Sequence, residues 1–217
     1  LFLLTLIFHY NLVLAQESHI LNSDIASGVI YEANIRQYSK EGTFNAFTRD
    51  IPVLRDLGIK IIWLMPVNPI STTKSKGPLG SYYAVSDYEK VNPEFGTEED
   101  FRDLVEKAHD LGIYIILDWV PGHTGWDHIW IKDYPEFYLK NDKGEITDPI
   151  NHQTGKSWGW TDVADLDYNN KKMQRAMTNA MKYWIEEFDI DGFRVDQAYA
   201  VPQTFFDKTF KSLRALK

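Results

Sequence analysis

Short apolar runs alternate with amphipathic segments along most of the chain. Runs rich in Val and Ile are typical of buried strands in a parallel sheet, whereas apolar residues three or four positions apart are typical of helices packed on such a sheet. The pattern predicts strands over Val29–Ile35, Ile59–Met65, Ile113–Leu117 and Asp191–Val195. Their alternation with helices predicts an α/β fold with a parallel sheet or barrel.

The segments between these strands carry helix start and stop signals. Thr97 is a good N-cap residue, and the acidic residues after it suit the positive end of a helix dipole. Gly112 is expected to end that helix, and Pro52 is expected either to open or to kink the one before it. The predicted helices are 44–57, 98–111, the Met-rich segment 173–188 and 202–217.

The tetrapeptide Asp-Leu-Gly-Ile supports this assignment of helices and strands, because it occurs at 56–59 and again at 110–113, each time between a predicted helix and a predicted strand. Four strand–helix units make half of a TIM (β/α)8 barrel. Residues 28–217 are therefore predicted to form a partial barrel. Residues 124–165 interrupt it after the third strand, and a segment of this length is uncommon unless it is functional. We expect it to be a small subdomain over the mouth of the barrel.

Composition narrows the possible partners. The net charge is −8 with no basic cluster, which argues against a nucleic-acid partner and is compatible with a neutral substrate such as a sugar. The chain has no cysteine, so disulfides and thiol chemistry are excluded.

The first residues suggest export. An apolar run, Leu1–Phe8, is followed by Val13 and Ala15 at the spacing of a signal-peptidase site. The run is shorter than the roughly 20 residues that span a bilayer. We predict an incomplete signal peptide over 1–15, a mature N-terminal segment over 16–27, and a secreted or periplasmic protein. The absence of an initiator Met and of a basic start suggests a fragment, and the alternative is a buried strand or helix at the start of a domain.

Polar residues collect where the predicted strands end, which is where parallel α/β folds carry their active sites. Asp118 closes the third strand and His123 follows it, while Arg194 and Asp196 lie two apart and so on one face of the fourth. An adjacent arginine favours the ionised form of a carboxylate, which a nucleophile needs. The alternatives are a structural ion pair, a loop histidine bonded to backbone, and an Asp118 that caps a turn.

Taken together, these segments resemble a known family. "DWVPGH" at 118–123, "ADLDYNN" at 164–170 and "GFRVD" at 192–196 resemble three ordered signature regions of the α-amylase family, glycoside hydrolase family 13. "VIYEANIRQY" and "GSYYAVSDYEKVNPEFGT" resemble two further family segments, in the correct order. The resemblance covers about residues 28–217 and implies a TIM-barrel enzyme.

The resemblance implies a role for each matching residue. Asp196 corresponds to the nucleophile and Arg194 to the arginine that orients and ionises it. His123 corresponds to the histidine that hydrogen-bonds the sugar, and Tyr83 to the tyrosine that stacks on the same sugar. Asp118 corresponds to a position that supports the site.

The implied reaction is retaining hydrolysis of starch or maltodextrin-type α-glucans through a covalent glycosyl-enzyme on Asp196. The family's acid/base Glu follows strand five and a further Asp follows strand seven. The sequence ends before both, so the printed chain is expected to be inactive and the full gene product active. The alternatives are an oligo-α-glucosidase or transglycosylase, and a non-catalytic relative that serves as a binding module. The presence of Asp196, Arg194 and His123 argues against the binding module.

The chain departs from the family pattern at two places. Gly122 stands where many members have an Asn that ligates calcium, which argues against that ion; no metal ligand and no required cofactor are predicted. Residues 197–200 lack the Lys-His pair of true α-amylases, which leaves the exact substrate open. The acidic stretch 162–167 could bind calcium instead. The tryptophans of the insertion could line a sugar groove, although we expect at least half to be core residues: Trp126, Trp130, Trp158 and Trp160.

Overall fold

The computed structural model describes residues 25–151 and 153–217. The strands are β1 (Val29–Ala33), β2 (Ile59–Leu64), β3 (Tyr114–Trp119), β4 (His123–Gly125), β5 (Ile150–Asn151), β6 (Lys156–Ser157), β7 (Val163–Asp165) and β8 (Gly192–Val195). The helices are α1 (Ile35–Tyr38), α2 (Phe44–Asp56), α3 (Glu98–Asp110), α4 (Ile129–Asp133), α5 (Lys171–Phe188) and α6 (Gln203–Leu213). The predicted signal peptide, 1–15, and residues 16–24 of the next predicted segment lie outside the described residues.

The main sheet contains the four predicted strands in the order β1-β2-β3-β8, all parallel. The prediction of a parallel sheet is therefore confirmed. Within the described residues the sheet is open, with β1 and β8 at its edges. Closure into an eight-stranded barrel stays an expectation.

The two faces of this sheet differ in burial. One face packs against helices and is fully buried on the two central strands, as at Ile62, Leu64 and Ile115. Burying each such side chain contributes about 1.5–3 kcal/mol. The other face carries Trp63 and Arg194, which are only partly buried. Successive residues of these near-continuous apolar runs therefore point alternately to the face that packs against helices and to the face that carries polar groups.

Local signals explain where most elements begin and end. The Thr97 hydroxyl accepts from the backbone N–H of Asp100, and the Asp100 carboxylate accepts from the N–H of Thr97, which confirms the predicted cap. Gly112 follows α3 at a φ of 70°, in the left-handed region that favours glycine.

Some element bounds differ from the prediction, as in the last helix, which is Gln203–Leu213 rather than 202–217. β1 ends at Ala33 rather than Ile35, because the Asn34 side chain accepts from the N–H of Gln37 and starts α1. Pro52 lies inside α2, which runs from Phe44 to Asp56 and so agrees with the predicted 44–57 to within one residue. The reading in which Pro52 opens the helix is therefore wrong, and the alternative of a kink stays a prediction.

The segment 124–165 starts and ends in paired backbone. β4 runs antiparallel to β7, with Thr124 opposite Ala164, and this pairing brings the two ends of the segment together. Between them lie α4 and the β5–β6 pair. Among the residues described, no helix has both the length and the apolar character needed to cross a bilayer.

Candidate active site

Three charged side chains meet at the carboxyl ends of β3 and β8. Arg194 Nη1 donates to Asp118 Oδ1 and to Asp196 Oδ1, at 3.0 Å in each case. The sheet register places Asp118 directly beside Arg194, and the two-residue spacing puts Asp196 on the same face. The N–H of Asp196 also donates to the carbonyl of Trp119 at 2.8 Å, which ties the end of β8 to β3. One guanidinium therefore bridges two carboxylates that belong to neighbouring strands.

Asp118 lies at the bottom of this cluster, with a side chain that is 0% exposed. Its Oδ2 accepts from Trp63 Nε1 and from Tyr83 Oη, both at 3.2 Å. Burial raises the pKa of Asp118 to about 6, although the bonds from Arg194 act in the opposite direction. Asp118 is therefore a buried anchor that holds an arginine, a tryptophan and a tyrosine in place.

Trp63 is a residue that the sequence analysis missed. It lies on β2, two strands away from Arg194, and the Arg194 guanidinium lies 4.8 Å from the centre of its ring. In the sequence it is one more apolar residue of the run 59–65. Its position in the strand could have identified it, because Trp63 pairs with Ile116, which lies two residues before Asp118 and therefore on the same face of the sheet.

The structure separates the adjacent tyrosines Tyr82 and Tyr83. The Tyr83 hydroxyl donates to Asp118, and burial followed by the nearby Asp118 charge raises the pKa of Tyr83, so that it stays protonated. Tyr82 packs instead against Arg36, whose guanidinium lies 4.7 Å from its ring centre. Of the two, Tyr83 is the one that contacts Asp118, and its contact with a sugar stays a prediction.

His123 opens β4 and is 7% exposed. Burial lowers the pKa of His123 to about 4, against the opposing charges of Asp196 and Asp162. Its ring centre lies 6.2 Å from that of Trp160. His123 is therefore a neutral imidazole at neutral pH, able to donate a hydrogen bond without adding charge to the site.

Two cavities meet at Asp196. The smaller, about 360 Å³, is also lined by Tyr83 and His123. The larger, about 630 Å³, extends from Asp196 along the segment 124–165 and past Tyr199. The Asp196 carboxylate thus lies at the junction of the two cavities.

The backbone turns sharply after Asp196. Gln197, which lines both cavities, has a φ of 45°, a conformation that non-glycine residues adopt rarely. The following turn, 198–200, carries Tyr199 with 82% of its surface exposed, and its hydroxyl donates to Gln197 Oε1 at 2.8 Å. This is the place where the Lys-His pair is lacking.

The tryptophans of the segment 124–165 divide into two groups. Trp126 and Trp130 pack against the hydrophobic core. Trp158 and Trp160 line the larger cavity, and their rings stack with centres 6.0 Å apart. Aromatic faces of this kind suit the apolar C–H faces of sugars.

The absence of the family's calcium ion stays a prediction, and the structure adds observations at Gly122 and in the acidic stretch 162–167. Gly122 has no side-chain oxygen, and a Cβ built there would meet nothing within 4 Å. Over residues 25–151 and 153–217 there is no group of three or more His, Asp or Glu side chains arranged to hold a metal. In the acidic stretch, Asp162 pairs with Lys76 and Asp167 accepts from the N–H of Asn169.

Comparison with known proteins agrees with the parallel α/β fold. The family described as alpha amylase, catalytic domain, matches residues 22–212. The chain belongs to the α-amylase family of glycoside hydrolases, family 13.

Solved structures and curated relatives point the same way. An α-amylase from Lactobacillus plantarum is 37% identical, with a TM-score of 0.81 over 87% of this chain and 42% of that one. The noncanonic maltogenic α-amylase AmyB from Thermotoga neapolitana is 38% identical, with a TM-score of 0.80 over 88% and 44%. Maltase A1 of Drosophila melanogaster is 30% identical over 81% of this chain and 34% of its own length. The chain thus spans about a third of the length of that curated relative.

Proposed function

We propose that the protein containing this chain is a retaining α-glucoside hydrolase that acts on starch or maltodextrin-type α-glucans, with Asp196 as its nucleophile. The observation that carries the proposal is the bridge from Arg194 to Asp118 and Asp196, at the junction of two cavities. Arg194 is anchored by the buried Asp118, so it can hold one oxygen of Asp196 and leave the other free to react.

The proposed reaction has two displacements. An oxygen of Asp196 attacks the anomeric carbon, and the bond from that carbon to the leaving oxygen breaks. A carboxylic acid protonates the leaving oxygen; by family resemblance it is a Glu after a fifth strand, which these 217 residues do not reach. Water, deprotonated by the same group, then releases the sugar from Asp196 with its configuration retained. Neutral His123 donates a hydrogen bond to the sugar, and Tyr83 contacts the same sugar from the wall of the smaller cavity.

The decisive experiment is Asp196→Asn in the complete protein. Turnover of maltoheptaose should fall at least about 10⁴-fold, as expected when a covalent nucleophile is lost. Asp167→Asn is the matched control, because Asp167 also lines the larger cavity but accepts from backbone, and it should keep most of the activity.

Two further measurements test the chemistry. A 5-fluoroglucosyl fluoride should add one glycosyl mass to the peptide that contains Asp196, and proton NMR should show the α-anomer as the first product. Full activity of Asp196→Asn, or a β-anomer as first product, would rule out the proposed mechanism.

Glycosyl transfer is the second candidate, and one observation favours it. Tyr199 lies exposed beside the larger cavity, where an aromatic ring could hold an acceptor sugar in place of water. Longer products formed from maltotriose would show transfer, and products from isomaltose would identify an oligo-α-glucosidase.

Export is proposed from residues 1–15 alone, and the N-terminal sequence of the mature protein would test it.

A further inference from the structure

Three segments of the chain cross at Gly125, the last residue of β4. The N–H of Gly125 donates to the carbonyl of Val85 at 2.7 Å. Val85 is in turn bridged to Ile70 in the antiparallel sense. Beside this bridge, the N–H of Ser71 donates to the carbonyl of Ala84 at 2.7 Å. Backbone hydrogen bonds therefore hold three segments that are distant in sequence against one another.

The crossing leaves no space for a side chain at Gly125. A Cβ built there would lie 2.1 Å from Ser71 Cβ, 2.7 Å from Ser71 Oγ and 3.0 Å from the carbonyl oxygen of Ala84. Non-bonded carbon atoms pack best at about 3.5–4.0 Å, so a side chain there would force the backbone to move. Gly125 is buried and is not one of the glycines with a positive φ. The close approach of the three segments, rather than the backbone conformation, is therefore what requires glycine.

Residues next to this crossing line the smaller cavity. His123 begins β4 two residues before Gly125, and side chains at that spacing lie on the same face of a strand. Tyr83 directly precedes Ala84 in the sequence. Both side chains line the cavity together with Asp196, and the His123 imidazole also contacts the backbone of Tyr83. The separation of the crossing segments therefore sets how His123 and Tyr83 lie relative to each other.

We propose that Gly125 is a positioning residue, whose missing side chain lets β4 pack closely enough for His123 and Tyr83 to hold one sugar. This inference rests on the proposed function, since it takes these two side chains as sugar contacts. A methyl group at position 125 would push β4 away from Ser71 and Ala84 and so separate them. Gly125 is not among the residues that line either cavity at the nucleophile, so it acts through His123 and Tyr83.

The test is Gly125→Ala in the complete protein, with maltoheptaose as the substrate. KM should rise at least about fivefold, which corresponds to the loss of about 1 kcal/mol at one hydrogen bond to the sugar. KM is the deciding quantity, because a variant that only folds less well would lower the apparent kcat and leave KM unchanged.

Substitutions of Ser71 separate the close contact from other effects. Ser71→Gly and Ser71→Ala both remove the hydroxyl, but only Ser71→Gly removes the Cβ that the new methyl group would meet. When combined with Gly125→Ala, Ser71→Gly should therefore lower KM again by at least about threefold, and Ser71→Ala should not. Each Ser71 variant alone should keep KM within about twofold of the wild-type value, since Ser71 lines neither cavity.

The outcomes are distinguishable from those of the proposed function. A KM of Gly125→Ala equal to that of the wild type, or an equally raised KM in both double variants, would overturn the inference and leave the role of Asp196 intact. Failure of Asp196→Asn to reduce turnover would instead overturn the proposed function.

A second comparison applies if Gly125→Ala alone does not fold. The double variant with Ser71→Gly is then compared with Ser71→Gly itself. KM should be higher in the double variant, because the carbonyl oxygen of Ala84 still lies 3.0 Å from the new methyl group. Equal KM values would show that Gly125 serves folding only, and would overturn the inference.

Discussion

Strands β3 and β8 carry a charged cluster at each end, and the two clusters behave differently. At the carboxyl end, Asp118 is bonded by Arg194, Trp63 and Tyr83, yet burial raises its pKa to about 6. At the amino end, Asp191 accepts from the N–H of Ile115 at 2.7 Å and lies 2.8 Å from His109 Nε2.

Burial opposes the ionisation of Asp191 as well. There, the bonds from His109 and Ile115 outweigh it, and the pKa of Asp191 is lowered. Each carboxylate has a cation or a histidine beside it, so the difference comes from the balance between desolvation and hydrogen bonding. A paired carboxylate can therefore have a raised pKa at the carboxyl ends of these two strands and a lowered pKa at their amino ends.

The largest expected effect is that of Arg194→Ala. It leaves the buried Asp118 without its cation, and breaking a buried pair costs about 3–5 kcal/mol. We expect the lower part of that range, since the Arg194 side chain is 37% exposed. Urea denaturation at pH 7 measures the loss. An unfolding midpoint equal to that of the wild type would show that Arg194 does not compensate Asp118.

A smaller change in stability is expected when the pH is varied. Its sign should differ between Asp118, at the carboxyl ends of the two strands, and Asp191, at their amino ends. Because the pKa of Asp118 is raised from 3.8 to about 6, the folded state binds more protons than the unfolded state between these values. Stability due to this group therefore falls as the pH rises from about 4 to about 6, by up to about 3 kcal/mol. The difference in unfolding free energy between wild type and Asp118→Asn should follow this curve.

Asp191→Asn is the control for this pH dependence. The lowered pKa of Asp191 means that its contribution is present above pH 3.8 and is lost as the pH falls further. The difference between wild type and this variant should therefore grow with pH below about 4 and be flat between 4 and 6. The same slope for both variants would remove the contrast between the two ends.

The smallest effect is expected at Lys217, which pairs with Asp189 and Asp191. Its side chain is 33% exposed and that of Asp189 is 70% exposed, so Lys217→Met should cost less than about 1 kcal/mol. Thermal unfolding in low and high salt measures this, and salt should reduce the difference. A loss of stability as large as that of Arg194→Ala would contradict the ranking of the two clusters.

The strand and helix pattern was predictable because it depends on local periodicity. Thr97 and Gly112 mark the ends of α3 through groups that lie within one turn of them. The boundary at Ala33 was missed, since the Asn34 cap competes with an otherwise apolar run. Pro52 shows that packing can keep a helix continuous through a residue that disfavours it.

The sequence by itself determined the alternation of strands and helices, from which a parallel sheet was predicted, and the placement of Arg194 and Asp196 on one strand face. The first follows from the apolar periodicity of each segment, and the second follows from the two-residue spacing within one strand. Only the tertiary structure decided that Arg194 also binds Asp118, that Trp63 joins them, and that Lys76 reaches Asp162. Those contacts depend on strand register and on loops distant in sequence. The raised pKa of Asp118 depends on them too, since desolvation is set by everything that packs around a group.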